Sequence, residues 1–405
     1  MTEFEKKYYW DRRGSGCAKW DGLEMSFGDA DLLAMWVADM DFRCPDSVEE
    51  AMVRLARMNT YGYTFPAQSY YDAFLGWEEK RHGYRAERSW VRYTPGVVCG
   101  IYRFLGALTE PGDAVIILSP CYYPFMSAVE DTGRRLVCSL LKSENGVYSP
   151  DFEDFESVIL REKVKAFVFC SPHNPVGRIW TKEEIARLMA ICEKHGVYVI
   201  SDEIHHDLEI RGKHVPTLAA YPCEKFAVML TAASKTFNLA GLCHSMAVIP
   251  DGELRKRFDD YCRPFIGMSS NMTGYAAVEA AYRSGEEWLS GCPDLIRQNA
   301  RYVEENLPAA LPGVTVSPLE GTYLQWVDLG AYVKPEELKS VVQDRCRLAV
   351  DWGHQFFPSE SRSEGDRAAA EAGKKDCHIR LNLATSGANV ETAVSRLIDA
   401  LKDRA

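Results

Sequence analysis

Three side chains that can do chemistry follow apolar runs rich in β-branched residues. Lys235, Asp202 and Asn174 each lie at or just past the end of such a run. Continuous apolar runs of this length are typical of strands that are buried on both faces of a parallel sheet. In an open α/β sheet, ligands bind at the carboxyl ends of the strands. The sequence therefore predicts that an amine, a carboxylate and an amide meet at one edge of a sheet.

These three groups match the needs of one ligand, pyridoxal phosphate (PLP). An amine can form a Schiff base with an aldehyde, a carboxylate can hold a proton on a pyridine nitrogen, and an amide can donate to a phenolic oxygen. The alternative for Lys235 is a solvated surface lysine. Its position after an apolar strand, between Ser234 and Thr236, argues against that alternative.

A phosphate group also needs an anion site, which the amino end of a helix can supply. Gly96 follows Thr94-Pro95 and precedes a helical pattern, so the backbone N–H groups of Val97 and Val98 could approach a phosphate closely. Many loops place a glycine before a helix. By itself, this motif is therefore weak evidence for a phosphate site, and the other candidate residues are needed to support it.

Two further pairs contain candidate ligand-binding residues. Tyr122 and Tyr123 follow the apolar run 114–118, where an aromatic ring could stack on a planar cofactor, although tyrosines that fill core space are the alternative. His205 and His206 come just after Asp202. Metal binding is the alternative, but His205 and Asp202 form no known cluster with a third ligand. We therefore predict a hydrogen-bonding role and assign no metal ligand.

Composition narrows the class of protein. The 405 residues are 46% hydrophobic and 26% charged, which is ordinary for a soluble globular protein. The net charge of −11 argues against a nucleic-acid partner. No apolar run approaches the ~20 residues that span a membrane, and the first residues lack the apolar core of a signal peptide. The thirteen cysteines are scattered without a C-x-x-C pair, which favours reduced thiols and a cytoplasmic location.

The order of the elements predicts an α/β fold. Apolar runs at 114–118, 166–170 and 197–200 alternate with helical patterns, and Thr181, Glu184 and Gly196 supply start and stop signals for one of those helices. Strand, helix and strand at this spacing form a βαβ unit with a parallel pair.

The pattern also predicts two domains. We expect a large α/β domain over residues 45–285, and a small α+β domain that combines 1–44 with 286–405. The polar stretch 359–376 is typical of an exposed insertion.

Longer motifs resemble those of a known family, the fold-type I PLP-dependent enzymes. More narrowly, they resemble the cystathionine β-lyase/C–S lyase branch of the class I/II aminotransferase family. Several motifs in the same order are far more specific than any one, and together they cover nearly the whole chain. The motifs are WVADMDF at 36–42, YGY at 61–63, SPHNPVGR at 171–178, DEIH at 202–205, SKTFNLAG at 234–241 and GTYLQW at 321–326.

The resemblance implies a fold and a set of roles. The fold is a large domain, with a mostly parallel sheet sandwiched by helices, plus a smaller α+β domain. Lys235 would bind the cofactor covalently and serve as the catalytic base. Asp202 would keep the pyridine nitrogen protonated, and Tyr122 would stack on the ring. Asn174 would donate to the phenolic oxygen, with His205 nearby.

The remaining implied roles concern the phosphate and the substrate. Arg380 would bind the α-carboxylate of the substrate through two parallel hydrogen bonds, and Tyr123 would lie in the substrate site. A surface ion pair is the alternative for Arg380. The residues that would bind the phosphate are Gly96, Val97, Val98, Ser234 and, from a second subunit, Tyr63.

One position departs from the pattern of many aspartate-type aminotransferases. Those enzymes carry a phosphate-binding arginine eight residues after the lysine, where this chain has Cys243. The C–S lyase branch also tends to lack that arginine. The departure therefore favours the narrower assignment.

The resemblance implies a PLP-dependent β-lyase that cleaves L-cystathionine or a related sulfur-containing amino acid to a thiol, pyruvate and ammonia. It also implies a homodimer with shared active sites. An aminotransferase, with the same cofactor and base, is one alternative. The other is a protein that binds a transcriptional regulator and has lyase activity as a second property.

Overall fold

The computed structural model describes residues 1–264 and 271–404. In this part of the chain the largest sheet has seven strands, which form where the sequence has apolar runs. They lie in the order β1-β7-β6-β5-β4-β2-β3, and β7 alone runs antiparallel to its neighbours. This confirms the predicted mostly parallel α/β sheet. The strands are β1 (Val91–Thr94), β2 (Ala114–Ser119), β3 (Arg135–Leu140), β4 (Val164–Cys170), β5 (Tyr198–Asp202), β6 (Ala227–Thr231) and β7 (Ser245–Val248).

Helices cover both faces of this sheet. Successive residues of a strand point to opposite faces, and Ile116 and Ile117 of β2 accordingly belong to two different apolar cores. Both residues are fully buried. The longer helices of residues 45–285 are Asp46–Met58, Gln68–Trp77, Val97–Leu108, Pro124–Asp131, Phe152–Glu162, Lys182–His195, Gly252–Cys262 and Met272–Ser284. The shorter helical segments are Glu78–His82, Arg88–Trp90, Thr217–Ala220, Ala233–Thr236 and Ala240–Leu242.

The helix between β4 and β5 has the ends that the sequence predicts. Thr181 accepts from the backbone N–H of Glu184, and the Glu184 carboxylate accepts from the backbone N–H of Thr181. Gly196 ends the helix with φ of +67°, a left-handed conformation that glycine adopts without strain. The predicted parallel βαβ unit is therefore confirmed.

A second, antiparallel sheet lies in the C-terminal part of the chain. Its order is β8-β9-β11-β10. The residues Leu33–Ala34 pair with Leu348–Ala349, so the N-terminal segment packs against this region as expected. The strands are β8 (Thr315–Val316), β9 (Leu324–Asp328), β10 (Asp351–Trp352) and β11 (His378–Asn382).

The helices that flank this sheet include one of 25 residues, Glu286–Ala310, which continues through Pro308. Its start falls just after Gly285, where we predict the end of the large domain. That domain boundary stays a prediction. The other helical segments outside 45–285 are Glu3–Tyr8, Ala18–Asp21, Leu23–Phe27, Pro335–Glu337, Ser340–Arg345, Gly353–Phe356, Arg367–Lys374 and Gly387–Leu401.

The prediction that residues 359–376 form an exposed insertion is wrong in part. The segment does contain a helix, Arg367–Lys374, but Asp366 and Ala369 are each only 1% exposed. The backbone N–H of Cys138, in the edge strand β3, donates to the carbonyl of Gly365 over 2.9 Å. The segment thus covers an edge of the large sheet, which a polar composition alone does not reveal.

No helix within residues 1–264 and 271–404 combines the length and the apolar character needed to cross a membrane.

Candidate active site

The carboxyl ends of five strands, β1, β2, β4, β5 and β6, surround a cavity of about 210 Å³. The edge is the one at which an open α/β sheet binds ligands. The structure thus brings together residues that lie far apart in the sequence. The predicted site residues that line the cavity are Gly96, Val97, Val98, Tyr122, Asn174, Asp202, His205, Ser234 and Lys235.

Lys235 lies in a single turn of helix, Ala233–Thr236, that begins just after β6. Its Nζ donates to the backbone carbonyl of Ala38 over 2.6 Å. Burial lowers the pKa of Lys235, and the positive charge of Arg380 acts in the same direction, whereas the Asp39 and Asp202 carboxylates oppose the change. A lysine with a lowered pKa supplies a larger fraction of neutral amine, which is the form that attacks an aldehyde or takes up a proton.

Asp202 is the last residue of β5 and is only 3% exposed. Its carboxylate accepts from the backbone N–H of Ile204 over 3.0 Å. Burial raises the pKa of Asp202 to about 7, because the charged form loses its hydration. A buried carboxylate of this kind is stabilised by a cationic partner in the cavity.

His205 is also buried, and within residues 1–264 and 271–404 its Nδ1 has no hydrogen-bond partner. Burial lowers the pKa of His205 well below its usual range, and the charges of Lys235 and Arg380 add to that effect. The imidazole is therefore neutral at physiological pH. An unpartnered buried nitrogen is costly unless a ligand satisfies it.

The loop between β1 and the helix Val97–Leu108 provides an anion site. Gly96 has φ of +107°, a region that residues with a side chain rarely adopt. The first N–H groups of the helix have no partner within it, and Val97 and Val98 line the cavity. Ser234 lines it as well.

Arg380, on β11, does not line this cavity but contacts a residue that does. Its Nη1 donates to the Oδ1 of Asn174 over 2.8 Å, and its Nη2 forms an ion pair with Asp351. The guanidinium also lies 4.8 Å from the ring centre of Phe356. Its Nε has no partner among the described residues. A buried guanidinium with a free N–H is suited to bind a carboxylate.

The three candidate tyrosines differ in position. Tyr122 lines the cavity, and burial raises its pKa above the usual range of tyrosine. Tyr123 does not line the cavity, and its ring lies 5.9 Å from that of Phe356. Tyr63 is 79% exposed and lies outside the cavity of its own chain. The roles of Tyr123 in the substrate site and of Tyr63 in a second subunit therefore stay predictions.

Sequence reasoning missed several residues that position the site. Ala38 contributes a backbone carbonyl, which no side-chain pattern can reveal. Asp351 pairs with Arg380 through strands that are adjacent only in the folded protein. Asp351 could have been noticed as a lone carboxylate after the apolar run 348–350.

Among the residues that the structure describes, two groups of buried side chains have ligand atoms within 4.8 Å of one another. The first group is Glu78, His82 and His206, and the second is Glu203, His206 and His214. His206 belongs to both groups, whereas His205 belongs to neither. The assignment of no metal ligand stays a prediction.

The donors and acceptors around the cavity fit PLP. In the part of the chain that the structure describes, the Nδ1 of His205 and the Nε of Arg380 are buried and have no hydrogen-bond partner. A cation would stabilise the Asp202 carboxylate, and Gly96 begins an anion site. Arg380 can only donate hydrogen bonds, so its partner on Asn174 must be the amide oxygen. The amide nitrogen of Asn174 then remains to donate to an acceptor on the cofactor. The aldehyde would meet the amine of Lys235.

Known proteins are similar to this chain over almost its full length. Residues 40–397 match the family model of aminotransferase class I and II. The chain is 36% identical to cystathionine β-lyase PatB of Bacillus subtilis, over 96% of this chain and 98% of that protein. Among solved structures, it is similar to cystalysin of Treponema denticola, which contains a pyridoxal 5′-phosphate cofactor (TM-score 0.90, 31% identity, 100% and 99% of the chains). It is also similar to a PLP-bound C–S lyase of Staphylococcus hominis (TM-score 0.87, 30% identity, 99% and 98%). With its fold, its site and this match in agreement, the chain belongs to the aminotransferase class I and II family.

Proposed function

We propose that this protein is a PLP-dependent carbon–sulfur β-lyase. It would cleave L-cystathionine or related cysteine S-conjugates to a thiol, pyruvate and ammonia. The observation that carries the proposal is the convergence of Lys235, Asp202 and Asn174 on one cavity. Full-length similarity to proteins named cystathionine β-lyase and C–S lyase supports the narrower choice within the family.

When bound, PLP supplies an electron sink for negative charge that develops at the substrate Cα. Lys235 removes the proton from that Cα. Burial lowers the pKa of its amine, so the neutral form is available as a general base. The electron pair left at Cα then forms a double bond to Cβ as the Cβ–S bond breaks, and the sulfur leaves as a thiolate that takes up a proton. The three-carbon enamine that is released reacts with water to give pyruvate and ammonia.

When PLP is bound, Asp202 would hold a proton on the ring nitrogen. In the unliganded protein, burial raises the pKa of Asp202 to about 7. A protonated nitrogen beside it is an opposite charge in a buried site, which stabilises the carboxylate. Asn174 and the neutral His205 are the polar groups available for the ring oxygen.

Arg380 binds the α-carboxylate of the substrate. Its guanidinium is already oriented by Asn174 and Asp351, so little side-chain entropy is lost on binding. A substrate held at its carboxylate presents its Cα to Lys235, and this positioning supports proton transfer.

The proposal includes a homodimer in the cytoplasm. Tyr61, Tyr63 and Phe65 form an exposed aromatic stretch, with exposed fractions between 66% and 81%. Such a patch is typical of a surface that a partner covers, and a second copy of the chain would bring Tyr63 to the phosphate site. All thirteen cysteines are free thiols, which fits a reducing compartment.

The test is pyruvate release from L-cystathionine by the purified PLP-loaded protein without any added keto acid. We expect release in the wild type and near loss of it in Lys235→Ala, since general base catalysis contributes roughly 10²–10⁴-fold. Lys225→Ala is the matched control, because that side chain is 88% exposed. A strict requirement for a keto acid would instead identify an aminotransferase.

A further inference from the structure

The side chains at the end of β5 and in the loop that follows it divide into two sets. One set lines the cavity, and the other is buried away from it. Asp202 and His205 line the cavity. Glu203, His206 and Asp207 are fully buried on the other side of the sheet edge. One short segment therefore contacts both the proposed cofactor site and a second, buried polar cluster.

Asp207 is the centre of that cluster. Its Oδ1 accepts from the indole Nε1 of Trp77 and from the Nε2 of His82, each over 2.9 Å. The Nε of Arg81 lies 3.1 Å away, and the Nε2 of His206 lies 3.3 Å from Oδ2. Burial alone would raise the pKa of Asp207, but the charge of His206 and the hydrogen bonds from its neighbours outweigh it and hold the pKa well below the usual range.

The Oδ2 of Asp207 also accepts from the hydroxyl of Thr236 over 2.8 Å. Thr236 is fully buried and directly follows Lys235. The helix that carries both residues has only four residues and no side-chain cap at its start. So short a helix has few internal hydrogen bonds, and its orientation depends on contacts with the rest of the protein.

Asn238, which follows the helix by two residues, makes a second set of contacts. Its side chain donates to the carbonyls of Met40 and Phe42, and its oxygen accepts from the N–H of Met40. Asn238 thus ties the end of this turn to residues next to Ala38, the acceptor of the Lys235 amine. The hydrogen bond between Thr236 and Asp207 connects the same helix to the buried polar cluster around Asp207.

We propose that Asp207 and Thr236 are positioning residues for Lys235, and that their hydrogen bond sets where the amine points in the cavity. This inference rests on the proposed role of Lys235 as the cofactor-bearing base. Neither residue lines the cavity. Their effect is therefore on the proton transfer that Lys235 performs and not on the binding of substrate.

The buried carboxylate suits this purpose. A charged acceptor makes a shorter and stronger hydrogen bond than a neutral one, and it cannot swing away without leaving His82, Trp77 and Arg81 without their partner. The helix that bears Lys235 is thereby fixed to a rigid network. A displacement of about 1 Å at a reacting group can cost roughly a hundredfold in rate.

The experiment compares Thr236→Val with Thr236→Ser in the PLP-loaded enzyme. Valine keeps the shape of threonine but removes the hydroxyl, while serine keeps the hydroxyl. We expect Thr236→Val to lower kcat by about tenfold to a hundredfold with little change in KM. We also expect it to shift the pH midpoint of the visible absorption band of the bound cofactor. Thr236→Ser should restore both values toward those of the wild type.

Thr231→Val is the matched control. Thr231 is equally buried, and its hydroxyl lies 3.1 Å from the Nε2 of His206 in the same cluster, but no bond joins it to the helix of Lys235. We expect this variant to keep the wild-type kcat and midpoint. A loss as large as that of Thr236→Val would mean that any lost hydroxyl in the cluster matters, and would overturn the proposal.

Wild-type kcat and an unchanged midpoint in folded Thr236→Val would also overturn the proposal. If that variant does not fold, Thr236→Ala serves for the same comparison, because it removes the hydroxyl without adding a methyl group. Should the wild type bind PLP but release no pyruvate, the proposed function fails on its own. The absorption midpoints of the variants would still decide the role of Asp207 and Thr236.

Discussion

Arg380 and Asn174, which lie 206 positions apart in the sequence, are joined by a hydrogen bond of 2.8 Å from Nη1 to Oδ1. Each side chain thereby orients the other. The guanidinium can only donate, so the Asn174 oxygen must face it and the amide nitrogen is free for the cofactor. One bond therefore links the proposed carboxylate site of the substrate to the proposed ring site.

Arg380→Lys tests the carboxylate site. An ammonium group lacks the planar fork of a guanidinium, so it cannot contact Asn174, Asp351 and a substrate carboxylate together. A hydrogen bond to a charged group contributes about 1.5–3 kcal/mol. We therefore expect KM for L-cystathionine to rise roughly tenfold to a hundredfold, with a smaller change in kcat, in steady-state assays of pyruvate release.

Arg257→Lys is the control for that substitution. Arg257 donates to the hydroxyl of Tyr198 and contacts no residue of the cavity lining that we describe. It should leave KM unchanged. A wild-type KM in Arg380→Lys would show that the substrate carboxylate binds elsewhere.

Asp202 gives the cofactor-free protein a pH-dependent stability. Burial raises the pKa of Asp202 from 3.8 to about 7. Between about pH 4 and pH 7 the folded state therefore binds a proton that the unfolded state does not. The free energy of unfolding falls as the pH rises through this window, and the full cost of the buried charge is present above it.

Asp202→Asn should remove the free-energy cost of burying the Asp202 charge. The same substitution should abolish most of the catalysis. We expect the variant to raise the Tm of the cofactor-free protein by more at pH 8 than at pH 5, as measured by thermal unfolding. Asp399→Asn, whose side chain is 71% exposed, should show no such difference. An equal Tm change for Asp202→Asn at both pH values would contradict the shifted pKa.

Most of the site could be predicted from the sequence because strand ends are local features. Lys235, Asp202 and Asn174 stand just past apolar runs, and the topology of a parallel sheet brings such positions to one edge. Asp351 and Asp207 were not found, because their partners come from distant segments. The contact of Gly365 with the sheet was missed for a similar reason, since a polar composition does not show which edge strand a segment covers.

Gly365 is where the segment 359–376 comes closest to the sheet. A Cβ added there would lie 2.6 Å from the Cγ1 of Val137 and 3.1 Å from the Cδ of Glu162. Val137 is fully buried in β3, so it has little room to move. We expect Gly365→Ala to lower the free energy of unfolding by about 1–3 kcal/mol, the usual cost of overpacking.

Denaturant unfolding of the PLP-loaded enzyme measures this cost. Gly76→Ala is the control, because an added Cβ there meets nothing within 4 Å. Gly76 lies inside the helix Gln68–Trp77, where alanine is the better helix former, so this control should be neutral or stabilising. Unchanged stability in Gly365→Ala would mean that the segment does not hold this position on the edge strand.

The proposed sharing of sites between subunits predicts complementation between two inactive variants. Tyr63→Ala would remove a phosphate ligand from the partner's site, whereas Lys235→Ala removes the base from the site of its own chain. In a hybrid dimer of the two, one site carries both defects and the other carries neither. Random pairing makes about half of the dimers hybrid, so the mixture should regain about a quarter of wild-type activity.

The measurement is pyruvate release after the two variants are coexpressed with different tags. A mixture of Lys235→Ala with Asp202→Asn is the control. Both residues line the cavity of one chain, so every site in that hybrid keeps one defect and no activity should return. If the Tyr63→Ala mixture also stays inactive while hybrid dimers are present, Tyr63 does not act across the interface, because complementation requires only that its side chain reach the cavity of the partner.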